Sequence, residues 1–347
     1  MIHHTGFIIW SSISILCISL SSCIHQMDPI QYGQENAIWI QSKFFRGFAP
    51  TTGDTVSLKE LSNLVSTLKN NNIKYAYIFS GPYGTDGHLP EYAFSATARR
   101  SVDFLNKNIP EVMVLPWVGG VQDRTVKLWD STWCNNALQD SKRLVELLGV
   151  AGLHVDFEYI LRGEPFLDKD LKPEMVYGLR DYGKKVNNFH RKLREIIPGT
   201  FISSVVASTS SGTKPWKRKT SMAELRELLR YVDQISFLFY DTGIDNRRVF
   251  ESNCRELISD IRILSSEYPK VQYLVGIGTF VNDPHLYKYR NLEIESIPNT
   301  LKTIKTSIRY NNPSNSPVID GIAIYCEWAT TKYQWGQFYE NWIMKEK

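Results

Sequence analysis

One short segment of the sequence places three titratable side chains at alternate positions. Residues 151–159 read AGLHVDFEY, and in a β-strand the side chains of His154, Asp156 and Glu158 would share one face. Neighbours on that face lie roughly 6.6 to 7 Å apart along the strand. Repulsion and desolvation in such a pair of carboxylates raise the pKa of one member, which can then donate a proton near neutral pH. The segment therefore predicts an acid–base site.

A second segment ends in a hydroxyl and a carboxylate. Residues 236–241 read SFLFYD and finish with Tyr240 and Asp241. A phenol can donate a hydrogen bond to a carbonyl oxygen, and a carboxylate can accept one from a sugar hydroxyl. Because Tyr-Asp is a common strand ending, this pair predicts a binding site only in company with the carboxylates of residues 151–159.

Aromatic side chains are the third chemical feature, with nine Trp, 18 Tyr and 16 Phe in the chain. Core packing is the default place for any one of them, but Trp and Tyr also stack on sugar rings. Tyr325 and Trp328 are predicted to form the floor of a sugar site. On a regular strand they would lie on opposite faces, so that only one would point inward. The aromatic residues near predicted strand ends are Trp39, Tyr77, Tyr83, Trp117, Tyr325 and Trp328.

These residues belong to a regular alternation of apolar strand-like runs and stretches with helical spacing. The runs cover residues 37–40, 73–79, 112–117, 152–159, 201–207, 234–240, 271–279 and 321–328. The helical stretches cover 58–72, 91–107, 133–148, 173–196, 221–230, 248–267, 297–309 and 332–344. Eight such repeats predict parallel βαβ units that close into a (β/α)8 TIM barrel, as one domain over residues 37–347. A doubly wound open sheet is the alternative, but no G-x-G-x-x-G follows the first strand.

The barrel brings the candidate residues together. Functional groups of a (β/α)8 barrel gather at the carboxyl ends of its strands, where the fourth and sixth runs end. A structural carboxylate pair neutralised by Arg or Lys would ordinarily be the simpler interpretation of residues 156 and 158. Their position at a strand end favours catalysis instead.

Four segments together resemble a known family. Residues 151–158 are similar to the Asp-Gly-x-Asp-x-Asp-x-Glu signature of glycoside hydrolase family 18, the chitinase-like barrels. Residues 238–241 (LFYD) resemble its Met-x-Tyr-Asp on the sixth strand. Residues 117–120 (WVGG) and 321–325 (GIAIY) are similar to its Ser-x-Gly-Gly and Gly-x-x-x-Trp on the third and eighth strands. This chain has Leu238 for Met, Trp117 for Ser and Tyr325 for Trp.

The resemblance implies a role for each matching residue. Glu158 would protonate the glycosidic oxygen, and Asp156 would orient the substrate's own N-acetyl group. Tyr240 would donate to the acetamide carbonyl, and Asp241 would fix the sugar at the cleaved position. The acetamide oxygen is then the nucleophile, configuration is retained, and the family needs no metal or organic cofactor. The candidate substrate-binding residues are Asp241, Tyr325, Trp328, Trp117 and Tyr77.

Ala151 and His154 replace the first two acids of the family signature. The resemblance implies that the second acid shares a proton with the acid that Asp156 matches, so His154 alters this exchange. A neutral imidazole could donate to Asp156, and an imidazolium would lower the pKa of its carboxyl. His154 could equally be a core histidine with its hydrogen bonds satisfied. Both interpretations stay open at this point.

The first 22 residues contain no Lys, Arg, Asp or Glu, and Gly6–Leu20 is apolar or hydroxylic. This length suits the apolar region of a signal peptide and is too short to span a bilayer. Residues 20–23 (LSSC) resemble a bacterial lipobox, whose Cys is acylated, although no Lys or Arg opens the segment. We expect a lipoprotein-type signal peptide over 1–22, a lipidated Cys23 and a linker to residue 36. An uncleaved hydrophobic tail is the alternative.

Composition excludes several other classes of protein. A hydrophobic content of 43% with a net charge of +4 excludes a disordered chain, and no basic block supports nucleic-acid binding. Beyond Cys23, the three cysteines are widely spaced and lack a C-x-x-C or His cluster. They are predicted to be buried free thiols rather than a disulfide framework or a zinc site; they are Cys134, Cys254 and Cys326.

The sequence thus predicts a monomeric glycoside hydrolase, lipid-anchored in the bacterial cell envelope, or alternatively secreted. Its expected partners are the membrane and a glycan with β-linked N-acetylglucosamine, in chitin, peptidoglycan or an N-glycan. Two further hypotheses remain. One is a barrel that binds glycans without cleaving them. The other is an unrelated barrel glycosidase with carboxylates as acid and nucleophile.

Overall fold

The structure is a computed structural model that describes residues 32–121, 125–158, 181–207, 220–280, 291–311 and 318–344. The side chains of Val121 and Glu158 lie outside the described part. The predicted signal peptide, Cys23 and most of the linker fall on residues 1–31, which are also outside it. The N-terminal anchor therefore stays a prediction from the sequence.

Eight parallel strands form a closed barrel in which each strand pairs with its neighbours in sequence order. Closure comes from β1 and β8, where Ala37 pairs with Ala323 and Ile38 with Ile324. The predicted (β/α)8 TIM barrel is confirmed. The strands are β1 Asn36–Ile40, β2 Ile73–Pro82, β3 Met113–Val121, β4 Gly152–Glu158, β5 Phe201–Ala207, β6 Gln234–Leu238, β7 Gln272–Gly278 and β8 Gly321–Tyr325.

Helices connect the strands on the outside of the barrel. They are α1 Lys43–Arg46, α2 Leu58–Asn70, α3 Ala96–Asn108, α4 Ser131–Leu148, α5 Tyr182–Ile196, α6 Met222–Leu228, α7 Arg247–Glu267, α8 Leu292–Glu295, α9 Ile297–Asn311 and α10 Lys332–Phe338. Short 3₁₀ turns cover Glu91–Phe94 and Glu327–Ala329, and a π-helical turn covers Tyr339–Ile343. The sequence did not predict α1 and α8, because single turns are too short to show periodicity.

Local signals explain where the longer helices begin and end. A capping box precedes α2, in which Ser57 and Glu60 each bond to the other's backbone N–H. The Asp130 side chain accepts from two backbone N–H groups at the start of α4. Gly149 ends α4 in a left-handed conformation with φ of 62°. These caps satisfy backbone groups that the helices leave unpaired.

Strand alternation divides the apolar side chains between two cores. Along β1, Ile38 and Ile40 pack against the helices, whereas Ala37 and Trp39 point into the barrel. Leu153 and Val155 of β4 also pack against the helices, as predicted from their positions between His154 and Asp156. The side chains of the fourth strand that carry chemistry consequently face the barrel interior.

Three cysteines are buried free thiols, as predicted: Cys134, Cys254 and Cys326. Burial raises the pKa of Cys134 to about 11 and that of Cys254 to about 12. Both therefore stay protonated and unreactive near neutral pH. Among the residues that the structure describes, no helix combines the length and the apolar character needed to cross a membrane.

The contact between β3 and β4 requires a glycine. Gly119 pairs with Asp156, and a Cβ atom at residue 119 would overlap the Asp156 carbonyl oxygen. Backbone atoms on both sides leave no flexible group that can move aside. This glycine therefore sets the distance between the third strand and the candidate acid of the fourth strand.

We expect Gly119→Ala to lower the free energy of unfolding by about 1–3 kcal/mol, because the methyl group overpacks the strand pair. Chemical denaturation measures this change. Gly336→Ala is the matched control, since no atom lies within 4 Å of a Cβ at that helical position. The control should be neutral or stabilising by up to about 1 kcal/mol. Equal stabilities for the two variants would contradict the close approach.

Candidate functional site

A cleft of about 440 Å³ opens at the carboxyl ends of the strands. Its lining comes from the region around β8, β1, β2, β3 and β4. Most of this lining is aromatic or apolar, and Asp156 contributes the carboxylate. The described residues that line the cleft are Gln41, Ser42, Phe79, Pro82, Trp117, Gly120, Thr125, Asp156, Tyr325 and Trp328.

Asp156 is the buried carboxylate of this cleft. Its side chain points from β4 into the barrel mouth, and the residue is only 6% exposed. The indole N–H of Trp117 donates a hydrogen bond to its Oδ2 at 3.0 Å. A bond of this kind to an ionised acceptor is stronger than one between neutral groups. The strand end thus presents a carboxylate whose orientation is fixed.

His154 lies one step deeper on the same face and is fully buried. The Trp39 indole N–H donates to its Nε2 at 2.9 Å, so this nitrogen must be the acceptor. Nδ1 therefore carries the proton and donates to Ser203 Oγ at 2.8 Å. Burial lowers the pKa of His154 well below its usual value of 6.5. The imidazole is neutral, and neither nitrogen is left to donate to Asp156.

The geometry of His154 decides between the two interpretations that the sequence left open. Its ring stacks on Tyr77, with centroids 3.6 Å apart and planes at 6°. The Ser203 hydroxyl in turn donates a hydrogen bond to Gln234 Oε1 at 2.8 Å. His154 is accordingly a core histidine with satisfied hydrogen bonds. Any influence on Asp156 acts through packing rather than through a shared proton.

Tyr77 also belongs to this layer. It is fully buried, and its hydroxyl donates to the same Gln234 Oε1 at 2.5 Å. Burial raises the pKa of Tyr77 above its usual range, so the phenol stays protonated. The predicted sugar-contacting residue Tyr77 therefore lies beneath the cleft and supports it, and it is absent from the described lining.

Tyr240 and Asp241 follow β6 rather than ending it, because the strand stops at Leu238. The Tyr240 ring stacks on Tyr325, with centroids 5.1 Å apart and planes at 6°. Trp39 meets the Tyr240 ring edge-on at 6.4 Å. This pairing brings the sixth-strand motif to the eighth strand, at the wall of the cleft.

The turn that carries these two residues is held from a distant helix. Asp241 has a left-handed backbone with φ of 51°, and its N–H donates to Glu295 Oε2 at 2.8 Å. The N–H of Thr242 donates to Glu295 Oε1 at 3.0 Å, and the Thr242 hydroxyl bonds to the same oxygen. Glu295 is buried at the end of α8. Sequence reasoning missed it because nothing in the chain links residues 53 or 54 positions apart.

Tyr325 and Trp328 both line the cleft, contrary to the expectation that only one would point inward. The strand ends at Tyr325, and the 3₁₀ turn after it brings Trp328 round to the same side. The two rings meet edge to face at 5.5 Å, and Trp328 remains 37% exposed. The alternation rule failed here because it applies only while the chain is extended.

Gln41 and Glu327 are functional candidates that sequence reasoning missed. The Gln41 side chain lines the cleft and donates to Glu327 Oε2 at 3.4 Å. Burial raises the pKa of Glu327, and the Lys43 ammonium opposes this effect. Gln41 comes directly after β1 and Glu327 two residues after β8, so the strand-end rule could have identified them.

Glu158 is the last residue of β4, and its backbone pairs with Val121. The position of its carboxyl group lies outside the described part, so its role as proton donor stays a prediction. Within the described ranges, no group of three or more His, Cys, Asp or Glu side chains is placed to hold a metal ion.

Solved structures share this architecture. No family model matches the sequence, and no curated protein sequence matches it. The spore cortex-lytic enzyme SleL of Bacillus cereus has a TM-score of 0.57 at 13% identity, over 90% of this chain and 75% of that one. A Group IV chitinase of Ostrinia furnacalis has a TM-score of 0.57 at 12% identity, over 89% of this chain and 100% of that one. A class V chitinase of Pseudomonas fluorescens Pf-5 has a TM-score of 0.55 at 12% identity, over 88% and 98%. At these identities the likeness establishes the fold alone.

Among the described residues, two histidines are fully buried, and they predict a loss of stability in mild acid; they are His154 of β4 and His190 of α5. Below pH 6.5 the unfolded chain binds a proton on each imidazole. In the folded protein the pKa of His154 is well below 6.5 and that of His190 is about 4, so both imidazoles stay neutral in mild acid. The free energy of unfolding should therefore fall as the pH drops, by about 1.4 kcal/mol per pH unit for each histidine. Urea unfolding between pH 7 and 3.5 measures this slope.

His154→Gln tests the assignment, because its amide can accept from Trp39 and donate to Ser203 without binding a proton. The variant should lose the contribution of one histidine to the slope. His190→Gln is the matched variant. The difference in the free energy of unfolding between it and the unsubstituted protein should stop changing as the pH falls below about 4. An unchanged slope in His154→Gln would show that the imidazole titrates normally in the folded protein.

Proposed function

We propose that this protein hydrolyses glycans that contain β-linked N-acetylglucosamine, with the substrate's own acetamide as nucleophile. The observation that carries the proposal is the buried, hydrogen-bonded Asp156 at the floor of an aromatic cleft, where a (β/α)8 barrel places its functional groups. The fold likeness to two chitinases and a cortex-lytic enzyme supports the same class of reaction.

The cleft suits a sugar chain for two physical reasons. Phe79, Trp117, Tyr325 and Trp328 offer flat apolar faces on which pyranose rings can stack. Gln41, Ser42 and Thr125 add polar groups that can bond to hydroxyls. A mostly apolar pocket with a few polar groups that fix orientation is typical of a binding site for a small molecule.

In the proposed reaction, Glu158 protonates the glycosidic oxygen while the acetamide oxygen attacks the anomeric carbon. Asp156 orients the acetamide and stabilises the positive charge that develops on it. Tyr240 donates to the acetamide carbonyl, and Asp241 holds the sugar. Water then opens the cyclic intermediate with retention of configuration. These roles rest on the resemblance of residues 151–158 and 238–241, and the position of Asp156 agrees with them.

The location in the cell is part of the proposal and is supported by the sequence of residues 1–23 alone. A lipid on Cys23, followed by a short linker, would hold the barrel close to an envelope membrane. The membrane carries none of the proposed chemistry, so loss of the anchor would leave hydrolysis in solution unaffected.

We expect Glu158→Gln to reduce the hydrolysis rate at least about a hundred-fold, because the variant lacks the proton for the leaving group. The assay offers chitooligosaccharides, peptidoglycan fragments and N-glycans and measures the reducing ends released. Glu146→Gln is the matched control, since Glu146 is an exposed residue of α4 paired with Lys142. It should retain full activity. Unchanged turnover in Glu158→Gln would contradict the proposal.

A thiazoline inhibitor that mimics the cyclised acetamide separates the mechanisms. It should compete with substrate if the acetamide attacks, and it should fail against a glycosidase whose carboxylate attacks. A glycan-binding barrel without activity is the second candidate, favoured by the neutral His154 where the family signature has an acid. Binding of intact oligosaccharide without product would support that candidate.

Trp328 should act through sugar stacking. Trp328→Ala is expected to weaken oligosaccharide binding about ten-fold, because the exposed ring at the cleft contributes apolar contact. Calorimetric titration with a chitooligosaccharide in the Glu158→Gln background measures the Kd without hydrolysis of the ligand. Tyr333→Ala is the control, because Tyr333 is a 75% exposed aromatic residue outside the cleft lining. Equal losses of oligosaccharide affinity in Trp328→Ala and Tyr333→Ala would rule out a specific stacking role for Trp328.

A further inference from the structure

We propose that Trp117 is a positioning residue that acts through Asp156, in addition to any contact with the sugar. This inference rests on the proposed function, because it assigns the indole a role in the same reaction. It starts from the hydrogen bond between Trp117 Nε1 and Asp156 Oδ2, at 3.0 Å. An indole can only donate, so the carboxyl oxygen of Asp156 is the acceptor, and a bond of this kind is stronger when its acceptor carries a charge.

Strand register explains how the indole reaches this carboxylate. Trp117 pairs with His154 across β3 and β4, and Gly119 pairs with Asp156. The Cα atom of Trp117 therefore lies opposite His154, two residues before Asp156. Its side chain extends along the interior face toward the Asp156 carboxyl group. Gly119 has no side chain to stand between the two strands at the level of the carboxylate. A larger residue there would overlap the Asp156 backbone.

Aromatic contacts on two sides fix the indole plane. Phe79 packs against Trp117 at 4.6 Å with the planes at 63°, and Tyr325 meets it at 6.5 Å and 79°. A ring held in this way directs its N–H along one line. Because a hydrogen bond weakens steeply when its angle departs from linear, the fixed ring restrains the orientation of the carboxylate.

His154 is excluded from this role by its own bonds. Its two nitrogens are engaged by Trp39 and Ser203, both in the layer beneath the cleft. Trp117 therefore donates a hydrogen bond to Asp156. The His154 imidazole, two residues before Asp156 on β4, does not. The donor to Asp156 is thus an indole N–H, which does not titrate.

Trp117→Phe is the direct test, because it keeps an aromatic ring in the cleft and removes only the donor side of the indole. We expect kcat to fall about ten- to a hundred-fold, the usual effect of losing a hydrogen bond to a charged group. KM should change less than about three-fold, since the stacking surface remains. A change in KM with kcat unchanged would overturn the proposal and leave Trp117 as a sugar platform.

A double-substitution cycle with Asp156→Asn shows whether the effect passes through the carboxylate. In the Asp156→Asn background, Trp117→Phe should cost less than about three-fold in kcat, because its target is already altered. Full additivity would overturn the positioning role. Trp328→Phe makes the same chemical change at a ring that contacts Tyr325. It should affect KM rather than kcat.

Indole N–H resonances give a readout that does not need turnover. The Trp117 signal is identified by its loss in Trp117→Phe and should move upfield in Asp156→Asn, as its bond to a charged acceptor weakens. The Trp39 signal is the internal control and should respond to His154→Gln instead. A Trp117 signal whose chemical shift does not change in Asp156→Asn would overturn the contact. If this signal responds but no glycan is cleaved, the proposed function fails while the hydrogen bond stands.

Discussion

Burial of polar groups at the centre of a closed barrel is the constraint on which the rest of this structure depends. Eight strands enclose an interior that is buried from bulk solvent, where an unpaired polar atom is costly. His154, Ser203 and Gln234 are nevertheless fully buried there. They are tolerated because hydrogen bonds run from the Trp39 indole through His154 and Ser203 to Gln234, where the Tyr77 hydroxyl also donates. Each donor meets an acceptor, and no charge is required.

This paired layer supports the cleft above it. Trp39, which donates to His154, also meets the rings of Tyr240 and Tyr325 edge-on. Those two rings stack on one another, and Tyr325 lines the cleft together with Asp156. The neutral His154 and the Asp156 carboxyl group are only two residues apart on β4. Packing below the cleft supports these aromatic rings, and the end of β4 places Asp156 in the cleft lining.

Two of the differences from the signature that the sequence resembles, His154 and Trp117, make physical sense together. A histidine in place of an acid removes a group that could share a proton with Asp156, and its own bonds turn it toward the core. A tryptophan in place of a serine brings a donor long enough to reach the same carboxylate from β3. The fold itself is shared by enzymes with different named substrates, so it does not decide between glycans. That choice belongs to the loops around the cleft.

The sequence by itself determined the barrel and the strand ends that carry the chemistry. Eight apolar runs alternate with helical periodicity, and alternation along 151–158 assigns inward and outward faces, because both patterns depend on neighbouring residues only. It also identified Asp156, Trp117, Tyr325 and Trp328, which the structure brings into one cleft.

Only the tertiary structure decided which of these groups touch. It placed Tyr77 beneath the cleft, turned Trp328 inward after the end of β8, and engaged both nitrogens of His154 in the core. It also revealed Glu295, which holds the Tyr240 turn from a distant helix. The partners in these contacts are tens to more than a hundred positions apart in the chain. Their pairing follows from barrel closure and strand register, which no local pattern encodes.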